Sequence, residues 1–262
     1  MTGKQAYAAL DQPFVTQFLF HPRREGAYRI PDGARSDLLI PVGTDVSVGA
    51  SLHLSDTSAP VILFFHGNGE IVSDYDDLGK MFTDLGLNFF VADYRGYGSS
   101  TGSPTVSAMM ADCHVIQRFL DAHMAENGMA GPVFIMGRSL GSASALELAA
   151  NSSLGCAGLI IESGFAYAAP LLRVLGLDPA AIGFREENGF ENIDKMGRIS
   201  APCLVIHAEY DHIIPFSDGR ALYDACPSEN KELLEIKGAN HNDIFLRGAA
   251  PYLAAMKKIC GI

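Results

Sequence analysis

The sequence predicts an α/β fold built on a mostly parallel central sheet, and three observations carry that prediction. Short runs apolar on both faces recur along the chain, longer stretches of helical periodicity separate them, and glycine-bearing turns follow directly on several of the runs. Strands without a polar face must be covered on both sides. Helices are therefore expected on both faces, joined by right-handed crossovers.

The elements follow in order. In "SDLLIPVGTDVSVGASLHLS" two apolar runs flank Gly43, Thr44 and Asp45, the pattern of an N-terminal antiparallel hairpin. The parallel strands are expected in "APVILFFHG", "LNFFVADYRG", "GPVFIMG", "CAGLIIESG" and "APCLVIHAEYD", with "KELLEIKGA" as the last strand. Helices are expected in "DYDDLGKMFTDLG", "TVSAMMADCHVIQRFLDAHMAENG", "SLGSASALELAANS" and "SDGRALYDACP", and "DIFLRGAAPYLAAMKKIC" closes the chain. The connection at 166–200 is too long for a plain crossover and is read as a short helical cap over the C-terminal edge of the sheet. No repeat, low-complexity tract or linker divides the chain, so residues 1–262 read as one domain carrying that cap.

Composition sets the surroundings. With 262 residues, 48% of them hydrophobic and 19% charged, the chain can bury a large single core. The net charge of -11, with no basic run to offset it, opposes phosphate backbones and anionic headgroups, so nucleic acid is not an expected partner. Cys113, Cys156, Cys203, Cys226 and Cys260 are odd in number and scattered, which suits reduced thiols in a cytoplasmic protein. The N-terminus lacks the pattern of a secretory signal. Apolar runs such as "VILFF" fall far short of the roughly 20 residues of a transmembrane helix.

The chemistry is concentrated in "FIMGRSLGSAS". Gly137-Arg138-Ser139-Leu140-Gly141 matches G-x-S-x-G between an expected strand and an expected helix, where a serine is held in a strained turn and only small neighbours fit. The helix that follows aims its free N–H groups at the same spot. A serine hydroxyl needs a base, and the base needs an orienting carboxylate. His241, in the loop after the last strand, is the expected base, and Asp211, where "LVIHAEYD" gives way to a turn, is the expected acid. Glu162, which also ends a strand at that edge, is the rival acid. The oxyanion donors are expected to be the backbone N–H groups of Leu140 and of Asn68 in "FFHGNGE", with His66 bracing the loop.

Other polar groups read more plainly. His207, Glu209, Asp211 and His212 crowd one strand end without a complementary cluster, so no metal is expected. His114 and His123 are expected on a solvated helix face, and His21 and His53 as structural or surface groups. In "ADYRGYGSSTGSP" the third glycine comes one residue too late for G-x-G-x-x-G, and no phosphate-binding G-x-x-x-x-G-K-[ST] occurs, so no cofactor is implied. That stretch reads as a tight loop before a helix starting at Pro104, with Arg95 buttressing the oxyanion side.

Taken together and in this order, "FFHGNGE", "DYRGYGSSTG", "MGRSLGS", "HAEYDHIIP" and "GANHNDI" resemble the α/β-hydrolase superfamily over nearly the whole chain, most closely the branch of acyl-protein depalmitoylases, lysophospholipases and bacterial relatives. The resemblance implies an α/β-hydrolase fold, Ser139 as nucleophile, Asp211 as acid, His241 as base, and Asn68 and Leu140 as oxyanion donors. Eukaryotic depalmitoylases of this type carry an N-terminal cysteine cluster, whereas here the first cysteine is Cys113. The function expected is a serine hydrolase for a small or medium acyl ester or thioester, with Phe165, Leu171 and Leu172 lining an apolar pocket together with Phe184 and Phe190. A lysophospholipase or acyl-protein thioesterase is the first alternative, and a non-catalytic ligand-binding protein on the same scaffold is the second.

Overall fold

The computed structural model describes residues 6–25, 35–151 and 155–262. The hairpin is formed by β1 (Arg35–Gly43) and β2 (Val46–His53), and Asp45 between them takes the left-handed conformation at φ 57°. Six strands follow: β3 (Val61–Phe65), β4 (Asn88–Ala92), β5 (Val133–Arg138), β6 (Gly158–Glu162), β7 (Cys203–Ala208) and β8 (Lys231–Ile236). They make one eight-stranded sheet in the order β1-β2-β4-β3-β5-β6-β7-β8, parallel from β4 to β8 and antiparallel where β2 meets β4.

The helices are α1 (Pro13–Leu19), α2 (Asp76–Asp84), α3 (Val106–Glu126), α4 (Gly141–Asn151), α5 (Ala168–Val174), α6 (Asn192–Met196), α7 (Phe216–Ala225) and α8 (Ile244–Cys260). Although β3 is buried throughout, its side chains alternate between two cores. Leu63 and Phe65 join Ile135, Ile161 and Val205 against Met109, Leu146, Met196 and Leu222 of α3, α4, α6 and α7. Ile62 and Phe64 join Phe89, Met136 and Ile206 against Phe82 of α2 and Tyr252 and Met256 of α8. Both faces are thus covered, as strands with no polar side require.

Three features differ from the sequence expectation. The helix α1 was not anticipated. It buries only Val15 and Leu19, starts on Pro13 and is held from outside: Asp11 accepts the Val106 N–H at 2.7 Å, Gln12 donates to the Ile182 carbonyl at 3.0 Å, and Asn68 donates to the Leu19 carbonyl at 3.0 Å. The start of α3 also shifts, because Thr105, whose hydroxyl accepts the Ala108 N–H at 3.0 Å, is its N-cap and Pro104 lies just outside. The stretch 166–200 divides. Its α5 follows β6, whereas α6 packs between α4 and α7 and so supplies the helix of the β6–β7 crossover.

One ion cluster ties three of these helices. Glu147 of α4 meets Lys195 of α6 at 2.6 Å and His114 of α3 at 3.2 Å, so His114 is a paired group rather than part of a solvated face. Burial pushes the Glu147 carboxyl up, but the His114 hydrogen bond and the Lys195 charge outweigh it and hold it at about 2. A depressed carboxyl stabilises the fold fully above its unfolded value of 4.5, and that contribution is lost as the pH falls toward about 2. Glu147→Gln should therefore lower stability at neutral pH by on the order of 2 kcal/mol, less than for a fully enclosed pair because Glu147 keeps some exposure. Thermal melts of the two proteins should converge as the pH drops through that window. A constant gap down to acid pH would contradict the assignment.

Candidate active site

At the end of β5 the backbone turns sharply through Ser139, which has φ 51° although it carries a side chain, and enters α4 at Gly141. The two flanking glycines have separate reasons. A side chain at Gly137 would run into the Gly141 carbonyl and approach the Ala145 Cβ at 2.8 Å, and one at Gly141 would overlap the Phe65 carbonyl and lie 2.7 Å from that of His66. Only glycine at 141 lets α4 press against the end of β3, at the base of the loop that carries Asn68. The Ser139 N–H donates to the Glu162 carbonyl at 2.9 Å and the Ser142 hydroxyl to the Ser139 carbonyl at 2.6 Å, so the strained turn is held from both sides.

Residues far apart in sequence converge there. His241 Nε2 lies 3.0 Å from Ser139 Oγ, and its Nδ1 lies 2.7 Å from Asp211 Oδ2. The other Asp211 oxygen accepts the N–H groups of Ile213 at 3.0 Å and Ile214 at 2.8 Å, so the turn after β7 fixes the carboxylate. Burial pushes the Asp211 carboxyl up, but the hydrogen bond and charge of His241, with the Ile214 N–H, bring it below the ordinary carboxylate value. An ionised carboxylate only accepts, so Nδ1 bears the hydrogen and Nε2 presents its lone pair to the serine hydroxyl. Ser139, Asp211 and His241 are 9%, 8% and 4% exposed. The arrangement can move a proton from Oγ to Nε2 with the resulting imidazolium beside a carboxylate.

The rival acid lies elsewhere. Glu162 accepts the Tyr252 hydroxyl at 2.7 Å and pairs with Arg138 at 3.4 Å, not with His241. His66 is engaged by Asp93 at 3.2 Å and by the Gly67 carbonyl at 2.8 Å. Among the described residues, the backbone N–H groups of Asn68 and Leu140 have no protein acceptor. The Asn68 side chain is occupied: it accepts the His21 N–H at 2.9 Å and the Tyr97 hydroxyl at 2.7 Å, and its amide meets the His21 ring at 2.8 Å. His21 thus serves as a structural partner of Asn68. Arg95 does not reach the oxyanion side, because both its bonds to Asp112, at 2.7 Å each, anchor it to α3.

Phe165 and Leu172, expected in a substrate pocket, are each 1% exposed and belong to the core, Phe165 with its ring edge-on to Phe190 at 5.1 Å. Leu171 is half-buried against the same core. None of the three lines the cavity of about 240 Å³ that adjoins His241, whose walls include Tyr75, Leu78, Arg138, Phe245 and Tyr252. These wall residues escaped sequence reasoning. The available signal was Arg138 itself, a charged residue ending a strand that is otherwise apolar. Among the described residues no cluster of His, Cys, Asp or Glu could hold a metal ion, and no helix is long and apolar enough to cross a membrane.

Known proteins share this architecture. The esterase Pf2001 of Pyrococcus furiosus superposes with a TM-score of 0.73 at 15% identity, covering 91% of this chain and 97% of its own. A soluble variant of monoglyceride lipase from Saccharomyces cerevisiae superposes with a TM-score of 0.67 at 18% identity, covering 89% and 97%. In sequence, the alpha/beta hydrolase domain-containing protein 17C of Xenopus tropicalis is 35% identical in an alignment 214 residues long that covers 78% of this chain and 62% of that protein. The chain thus spans about three fifths of that relative's length. The family model described as "Serine aminopeptidase, S33" matches residues 56–179 and 191–245, and the chain accordingly belongs to this family of α/β-hydrolase serine hydrolases.

Proposed function

We propose that the protein hydrolyses a small or medium acyl ester or thioester through an acyl-enzyme on Ser139. The observation that carries this reading is the continuous hydrogen-bonded chain from Ser139 Oγ through His241 to Asp211. As Oγ attacks the acyl carbon, its proton passes to His241 Nε2 and the carbonyl electrons move to oxygen, where the N–H groups of Asn68 and Leu140 and the N-terminus of α4 receive the charge. Collapse expels the alcohol or thiol, which takes the proton from His241. Water then attacks the acyl-enzyme, His241 accepts its proton and returns it to Oγ, and the free acid leaves.

A small or medium acyl group is supported by the cavity that adjoins His241, whose volume of about 240 Å³ lies below the roughly 300–1,000 Å³ common for small-molecule sites. The five cysteines, all free thiols, support a cytoplasmic location. In this reading the cap expected at 166–200 would rest on α5, since α6 belongs to the β6–β7 crossover.

A chain-length series of p-nitrophenyl esters tests the substrate class. Turnover should be greatest with acetate or butyrate and fall as the acyl chain lengthens. A maximum at palmitate would transfer the assignment to a lysophospholipase or acyl-protein thioesterase, and absence of turnover throughout would remove the ester reading.

A further inference from the structure

Arg138, the residue before the candidate nucleophile, stands at the junction of the site's loops. Its Nη2 donates to the His241 carbonyl at 3.1 Å and lies 3.3 Å from Glu70 Oε1, while its Nε lies 3.4 Å from Glu162 Oε1. Glu70 continues the chain of contacts: its Oε2 accepts the Gly67 N–H at 2.6 Å and the Tyr75 hydroxyl at 2.5 Å. That approach depends on Gly67, where any side chain would begin 2.6 Å from the same oxygen. On the far side, Glu162 accepts the hydroxyl of Tyr252 in α8 at 2.7 Å. The Arg138 side chain is 11% exposed, and those of Glu70 and Glu162 are 25% and 10% exposed.

We propose that Arg138 is a positioning residue, joining the loop that presents the Asn68 N–H to the loop that presents His241 and so setting the distance between oxyanion donor and base. The proposal rests on the function given above. A planar guanidinium offers five donors in fixed directions and can hold three acceptors at once, which a point charge on a flexible stem cannot. Enclosed ion pairs stabilise a fold little compared with apolar side chains of similar volume, so this cluster contributes mainly geometry. Both loops lack regular secondary structure at the points held, Gly67 and His241, so side-chain contacts rather than helix or sheet set the distance between them.

Arg138→Lys tests this, because it keeps a cation between the two carboxylates and removes the fork. Active sites are titrated with a fluorophosphonate, so that misfolded protein does not count, and kcat and KM are measured on p-nitrophenyl butyrate. Per titrated site, kcat should fall about 10- to 100-fold, the loss that a displacement of about 1 Å brings, while KM changes less than about threefold. Should Arg138→Lys not fold, Glu70→Gln breaks the same link from the loop side and should lower kcat about 3- to 10-fold with KM unchanged. Wild-type kcat in the folded Arg138→Lys protein, or in Glu70→Gln where that replaces it, would overturn the positioning role. A wild-type protein inert to the fluorophosphonate would overturn the function itself, and that result precedes any variant.

Discussion

Ser139→Ala loses about four orders of magnitude or more in kcat on a nitrophenyl ester, and adding His241→Ala costs little further. The expectation follows from the hydrogen-bonded chain: every proton the imidazole moves belongs to forming or breaking the acyl-enzyme on that hydroxyl, so once the hydroxyl is gone the base has no substrate-linked task. Residual activity of roughly 10³- to 10⁴-fold over water would remain from the oxyanion donors and substrate binding. Stability is little affected, because alanine tolerates φ 51° about as poorly as serine does. Losses that multiply in the double variant would mean that the two side chains act independently, contrary to the geometry.

The second large effect is on the fold itself. Gly141→Ala places a methyl group against the backbone carbonyls of Phe65 and His66, and no rotamer change can relieve a clash between a Cβ and main chain. Helix α4 must then move off β3, at a cost of about 3 kcal/mol or more. For a chain of this size that is a fall in Tm of about 6–12 °C. Because the same contact seats the start of α4, two residues after Ser139, against the base of the loop that carries Asn68, surviving folded protein should also lose turnover. Gly128→Ala is the control: φ there is also positive, at 65°, but nothing lies within 4 Å, so only the backbone preference is lost, about 1 kcal/mol. Equal losses in the two variants would show that helix–strand contact is not what glycine at 141 provides.

Much of the architecture was legible in the sequence because each parallel strand is a compact apolar run bounded by a turn, as in "VILFF" and "GLIIE". Ser139, Asp211 and His241 were legible for a related reason: in a parallel sheet, residues just after strands share one edge, so three loops distant in sequence could be placed together. Glu162 met the same condition, and only the direction of its side chain, toward Tyr252 and Arg138, separates it from Asp211.

What stayed hidden depends on contacts between distant segments. Helix α1 has only seven residues and two buried side chains, too short a pattern to stand out, and it is fixed by Asn68 and by the start of α3. Phe165 and Leu172 were recognisable as apolar, but hydrophobicity does not say whether a side chain faces the core or a substrate. The Arg138 cluster draws on three other parts of the chain, 67–75, Glu162 and 241–252, all widely separated in sequence.

The most direct measurement is mass-spectrometric mapping of the folded protein after reaction with a fluorophosphonate. The account predicts a single adduct on Ser139, formed rapidly by the wild type and at least about a hundredfold more slowly by His241→Ala. An adduct on another residue, or labelling at an undiminished rate without the imidazole, would contradict it.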